Sequence, residues 1–197
     1  MATHSKTVAF LGASTGVDSH HSSTHSQQAT GASPSAVVQG NAHDIAAVSK
    51  CLVAEKGKLV DAIVSTIGGK FIFSRMTIDD KEVCRKGMTT ILETLAQLRS
   101  GGATGKPHII DPHKDKQIME DRLVESGETY TIIRASLLVN GETSKKIRVG
   151  IEDPKTGRES EAIGYTISRE DTGKWVADNL VLQLDGKYVN KIVMVTY

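Results

Sequence analysis

Apolar runs of strand length alternate with helical patterns along most of this chain, and that alternation limits the possible folds more than any other feature. The strand-like runs are Val8–Leu11, Ala36–Gln39, Asp61–Ser65, Pro107–Ile110 and Tyr130–Arg134. Between them, Asp44 stands as an N-cap before Ile45, Val48, Cys51 and Leu52 at helical spacing. Residues Ile78 to Arg99 carry Val83, Met88, Ile91, Leu92, Leu95 and Leu98 on one stripe, and Lys116–Ser126 is amphipathic up to Gly127. Strands joined by helices pack as a parallel sheet whose faces the helices cover. The expected fold is α/β, a Rossmann-like parallel sheet with helices on both faces, in a single domain over residues 1–197. Right-handed crossovers then line the strand C-termini along one edge, where such sheets take ligands.

Two stretches depart from the alternation. Residues 18–35, built from Ser, His, Thr, Gln, Gly and Ala, read as a low-complexity polar loop. From about residue 136 to residue 197 the pattern is less regular, and this part is expected on the substrate side. It holds a charged hairpin-like stretch (Lys145–Ser160), a Thr166–Val181 segment that is helical in its second half, and an apolar final strand, Lys191–Tyr197. That strand fits equally well inside the sheet or at a dimer edge, so oligomeric state stays open and a homodimer is allowed.

Charge and composition exclude several classes. With 24 basic and 23 acidic residues, no global field points to nucleic acid or an anionic membrane. Aromatic residues make up only 4%, too few for a base-stacking platform. No window approaches the roughly 18 apolar residues of a membrane span, and the N-terminus lacks a signal-peptide core. A cytoplasmic protein with a small-molecule partner is the expectation. Cys51 and Cys84 lie in helical patterns without a CxxC and read as buried free thiols. His20, His21 and His25 have no cysteine or apolar anchoring beside them, so they read as solvated loop residues and no metal is expected.

The motifs gather at strand ends. After the first strand comes Gly12-x-x-x-Gly16, where Gly16 lets the backbone approach a pyrophosphate and the amides and hydroxyls of Ala13, Ser14 and Thr15 can donate to phosphate oxygens. Asp18 occupies the place of a third glycine and speaks for an ordinary strand-to-loop turn, since a carboxylate repels phosphate. Gly40-Asn41-Ala42 ends the second run, where a short polar residue can meet an adenine edge or simply make a turn. Thr66-Ile67-Gly68-Gly69 ends the third, and its small residues would let a ribose or nicotinamide pass close to the backbone. His108 and His113 bracket the short fourth connection and are acid–base candidates or capping residues.

These segments, together with Asp115–Glu120 (DKQIME), Glu125–Arg134 (ESGETYTIIR) and Ile163–Asp171 (IGYTISRED), resemble the atypical short-chain dehydrogenase/reductase group, specifically the NAD(P)H-binding, NmrA-like proteins common among fungal oxidoreductases. The resemblance implies NADP(H), or alternatively NAD(H), laid across the strand C-termini. It places Gly12 through Val17 at the pyrophosphate, Asn41 and Ala42 at the adenine, and Ile67, Gly68 and Gly69 at the ribose and nicotinamide. Lys116 matches the lysine that contacts the nicotinamide ribose, and Ala135 and Ser136 fall beside the nicotinamide. Two family segments have no counterpart: the first helix with its second strand, and a block before Lys116. Pro112 stands four residues before Lys116, so there is no Tyr-x-x-x-Lys pair to deliver a proton, and Tyr130, Tyr165 and His113 are the substitutes on offer. The implied activity is NAD(P)-dependent oxidoreduction of a small, aromatic or polyketide-like substrate; the alternative is a non-catalytic dinucleotide-binding or regulatory protein on the same scaffold.

Overall fold

A computed structural model describes residues 6–12, 23–29, 37–54, 57–68, 71–72, 77–78, 80, 82–111, 117–141, 145–184 and 186–197. In chain order the elements are β1 (Lys6–Leu11), β2 (Ser23–Ala29), β3 (Val37–Gln39), α1 (Ile45–Leu52), β4 (Ala62–Ser65), β5 (Phe71–Ile72), β6 (Thr77–Ile78), α2 (Val83–Ser100), β7 (His108–Asp111) and α3 (Gln117–Glu125). They continue with β8 (Thr129–Ala135), β9 (Leu137–Val139), β10 (Arg148–Asp153), β11 (Gly157–Ser160), β12 (Thr166–Ser168), α4 (Arg169–Val176), a π-helical turn (Ala177–Val181) and β13 (Lys191–Thr196). The main sheet has nine strands in the order β11-β10-β13-β8-β7-β4-β1-β2-β3.

Its centre is parallel: β13, β8, β7, β4 and β1 all run in one direction. These strands are apolar on both faces, and alternate residues divide between two cores. On one face Ala9, Leu11, Ile63, Ile109 and Ile132 pack with Val48 and Leu52 of α1, Met88, Ile91 and Leu95 of α2, and Leu123 of α3. On the other, Val8, Val64, Ile110, Ile133 and Val195 meet Trp175, Val176 and Leu180 of the α4 segment. Trp175 closes that layer edge-on to Tyr188, with ring centroids 5.2 Å apart. Helices thus cover both faces of a mostly parallel sheet, the α/β Rossmann-like architecture the alternation calls for.

Three details differ from the sequence reading. Ser23–Ala29, expected within a polar loop, forms β2 and pairs antiparallel with β1 from Lys6↔Ala29 to Leu11↔Thr24. Strand pairing uses backbone groups that every residue carries, so a polar run can complete an edge that offers them. The sheet is accordingly mixed rather than wholly parallel, with β2, β10 and β11 each antiparallel to a neighbour. The α2 helix begins at Val83, five residues after the expected Ile78, because residues Thr77–Ile78 pair with Phe71–Ile72. Of the two places open to the final strand, it takes the one inside the sheet, between β8 and β10, so β13 is not a free edge. Cys51 and Cys84 are buried free thiols on α1 and α2, as expected.

The hairpin of β10 and β11 is pinned by charge. Lys191 Nζ reaches Asp153 Oδ2 at 2.6 Å and Glu159 Oε1 at 2.5 Å. The hydrogen bond from Lys191, then those from the Lys155 and Thr156 amides, lower the Asp153 carboxyl from 3.8 to about 2. A carboxyl whose folded value lies below its unfolded one stabilises the fold above the unfolded value and loses that contribution as pH falls towards the folded one. Asp153→Asn is therefore expected to be less stable than the parent at pH 7, with the gap closing as pH drops from about 4 to about 2. Urea midpoints measured at several pH values test this, and a gap that stays constant across the window would refute it.

Candidate active site at the carboxyl edge

Gly12 follows β1 with φ +82, a left-handed conformation that favours glycine. A Cβ there would stand 2.8 Å from Ile67 N and Thr66 C, so the ends of β1 and β4 touch through bare backbone. Two further bonds lock the junction: Thr66 N donates to Leu11 O at 2.7 Å, and Thr66 Oγ1 donates to the same carbonyl at 2.9 Å. The first and third strand-end motifs are thus brought side by side, as a ligand running along this edge requires. Helix α2 backs the junction. The Cys84 thiol donates to Ile67 O at 2.7 Å, and Gly87 leaves the space that the Ile67 side chain fills. Ile67 is buried there, while Gly68 is exposed.

On the β3 side, Ala42 is buried and Asn41 is exposed. The Asn41 side-chain oxygen accepts from His43 N at 2.9 Å and its backbone carbonyl accepts from Asp44 N at 2.9 Å, a turn that leads into α1. Asp44 caps that helix by accepting from Ala46 N, as its position predicts. Farther along the edge, Ala135 ends β8 buried in the second core, and Ser136 Oγ donates to Gly164 O at 3.2 Å. The β1 and β8 ends lie three strand spacings apart, roughly 14 Å. Leu137, Ile163 and Tyr165 stand beside Ser136 and are 63%, 66% and 87% exposed, an apolar surface at the end of β8. Nearby, the Tyr197 hydroxyl accepts from Ser168 N at 3.0 Å and donates to the Asp171 carboxylate, tying the end of β13 to the start of α4.

Ala13, Ser14, Thr15, Gly16, Val17, Gly69, Lys116 and His113 lie outside the described residues, as do His20 and His21. His108 and Tyr130 are corrections. Both sit at strand starts, the end of the sheet opposite the glycine turn, because a parallel strand carries its first residues away from its carboxyl edge. His108 is buried with its ring against Thr131 Oγ1 at 2.8 Å and Leu184 O at 3.2 Å. Burial and the nearby Asp153 raise the Tyr130 phenol. Of the substitutes on offer, Tyr165 is the described one at the carboxyl edge. Sequence reasoning passed over Asp111, which closes β7 fully buried between the β4 and β8 ends. Its signal was a carboxylate terminating an apolar strand. No group of three or more His, Cys, Asp or Glu among the described residues is placed to hold a metal ion. No helix among them is long and apolar enough to cross a membrane.

Gly12 pressed against the β4 end, on a mostly parallel sheet with helices on both faces, gives a Rossmann-like α/β fold. Two solved structures share it: a wide-type short-chain dehydrogenase/reductase from Veillonella parvula in complex with NADP (TM-score 0.54, 14% identity, 80% of this chain and 70% of that one) and an ethylated form (TM-score 0.51, 12% identity, 81% and 70%). In sequence, the chain is 33% identical over 208 aligned residues to the reductase pytE of Aspergillus terreus, covering 82% of this chain and 77% of that protein. It is 35% identical over 97 residues to the oxidase pynE of Aspergillus niger, covering 43% of this chain and 33% of that protein. No family model matches the chain. The chain belongs to the oxidoreductase family that includes the reductase pytE, and its fold is that of the short-chain dehydrogenases/reductases.

Proposed function

We propose that this chain is an NADP(H)-dependent reductase of the atypical, NmrA-like kind, acting in the cytoplasm on a small aromatic or polyketide-like molecule. One observation carries the cofactor reading: Gly12 and Thr66–Ile67 form a ledge of bare backbone at the carboxyl edge, with no room for a Cβ between them. The ledge fits a dinucleotide passing from the β1 turn towards Ser136, and the NADP named for the Veillonella structure supports the choice of nucleotide. On this reading Gly12 to Val17 hold the pyrophosphate, Asn41 and Ala42 bound the adenine, and Ile67 to Gly69 with Ala135 and Ser136 bound the ribose and nicotinamide. Lys116, just before α3, holds the nicotinamide ribose. When bound, the cofactor supplies a hydride. The exposed Leu137, Ile163 and Tyr165 then offer an apolar platform to the acceptor, and Tyr165 is the hydroxyl there able to give a proton. The alignment with pytE runs over more positions than the 197 residues of this chain, which supports the reading that family segments are missing here.

Parallel titration with NADPH and NADH, followed by fluorescence, tests the proposal. NADPH is expected to saturate, to bind more tightly than NADH, and to be consumed with quinone, flavin or ketone acceptors. Lys116→Ala is expected to weaken NADPH binding about tenfold, the loss of one charge-assisted hydrogen bond. Failure of both nucleotides to bind at millimolar concentration would overturn the reading.

A further inference from the structure

Four large apolar side chains are exposed among the described residues, and three of them, Leu137, Ile163 and Tyr165, stand together beside Ser136. The backbone fixes that grouping. Ser136 Oγ donates to Gly164 O at 3.2 Å and Leu137 N donates to Tyr165 O at 3.1 Å, so the three residues share one junction. Gly164 lies so close to the end of β13 that a Cβ there would strike Thr196 Oγ1 and Tyr197 O. The segment cannot sink further, and its neighbours Ile163 and Tyr165 stay outside. An apolar group held in solvent in this way marks an interaction surface.

A charge stands at the far end of the same ribbon. From the junction β9 and β12 run parallel, Leu137 beside Thr166 and Val139 beside Ser168, and β12 leads straight into Arg169. The Arg169 guanidinium donates through Nη1 to Asn140 Oδ1 at 2.7 Å and to Leu138 O at 3.4 Å. Both acceptors are neutral, and the exposed Arg169 forms no ion pair with any described residue. It is also the first residue of α4, at the positive end of the helix dipole, where a cation is disfavoured unless an anion meets it. The carboxylates around it are otherwise placed. Asp171 accepts from the Tyr197 hydroxyl, Glu161 pairs with Arg158 at 2.6 Å, and Glu170 stands one helix position, about 100°, further round. Lys145, 5.4 Å over the Tyr197 ring, and Arg148, which donates to Tyr197 O, add positive charge near the end of β13.

We infer that the acceptor reduced at this edge is an organic acid, its apolar body on Leu137, Ile163 and Tyr165 and its carboxylate held by Arg169, which thereby determines substrate specificity. Four residues of β9 separate Ser136 from Asn140, about 13 Å, so the acid is an elongated one with its carboxylate remote from the reacting carbonyl. The guanidinium keeps further N–H donors beyond Nη1, enough for a forked bond to a carboxylate. That this acid is the hydride acceptor rests on the NADP(H) reading; its binding to Arg169 does not.

Titration of the full chain with para-acetylphenylbutanoate and with its methyl ester, at fixed ionic strength and with or without NADPH, tests the inference by NMR of the Arg169 Nε–H and the backbone amides. The acid is expected to give saturable shifts at Arg169, Leu137 and Tyr165 and to bind about tenfold more tightly than the ester. Arg169→Gln is expected to remove that preference and Arg169→Lys to keep part of it. Arg169 is on the surface, so both variants keep the fold. Equal affinity for acid and ester, shifts that never saturate, or shifts centred away from Arg169 would each overturn the acid site. The Gly12 amide reports the nucleotide separately. Its silence towards NADPH would remove the cofactor reading whatever the acid does, whereas a normal response without preference for the acid would remove this inference alone.

Discussion

Gly12→Ala is expected to destabilise the fold by about 3 kcal/mol and to abolish NADPH binding. Two costs add at this position. The left-handed backbone at φ +82 is strained for any L side chain, worth about 1–2 kcal/mol. The new methyl would also stand 2.8 Å from Ile67 N and Thr66 C, which are backbone atoms that cannot rotate away. Relief requires the ends of β1 and β4 to part, breaking the bonds from Thr66 to Leu11 and displacing the ledge proposed to carry the nucleotide. Gly57 separates the two costs. It has φ +74 but nothing within 4 Å of its would-be Cβ, so Gly57→Ala should cost only about 1 kcal/mol and leave nucleotide binding intact. Urea unfolding and NADPH titration of both variants measure the contrast, and equal losses at the two sites would refute the steric argument.

That junction also shows how far the sequence can be read. The five parallel strands were legible because each is an apolar run buried on both faces, and the cap at Asp44 because its chemistry is local. The polar β2 was not, since its pairing with β1 draws on backbone groups that leave no trace in side-chain pattern. The short pairings of β9 with β12 and of β5 with β6 escaped for the same reason. At the site, the glycines signalled a close approach without naming what approaches. That Gly12 meets Ile67, or that Cys84 and Gly87 brace Ile67 from α2, depends on contacts between distant segments. His108 and Tyr130 carry a different lesson. Both lie at the beginnings of apolar runs, and strand direction alone assigns them to the end away from Gly12.

Arg134→Leu is expected to destabilise the chain by about 3–5 kcal/mol, more than any other single ion-pair change in the described residues. Arg134 on β8 grips Glu120 of α3 through Nε–Oε1 at 3.2 Å and Nη2–Oε2 at 2.6 Å, and its remaining Nη1 reaches Glu152 of β10 at 3.1 Å. Glu120 is buried, so removing its partner leaves a carboxylate stranded between helix and sheet. The Arg99–Glu128 fork joins α2 to the loop before β8, but Arg134 joins three elements, one of which follows Lys116 directly. Arg134→Lys keeps the charge and loses the two-pronged geometry, so an intermediate loss is expected. The double variant Arg134→Leu with Glu120→Leu removes both charges and should recover most of the stability, because the cost of the single change is the orphaned carboxylate. Thermal unfolding reads these differences, with a fall of about 10 °C for Arg134→Leu alone. If the double variant were as unstable as the single one, the pair would be acting through packing, and α3 would be held to the sheet by its apolar face alone.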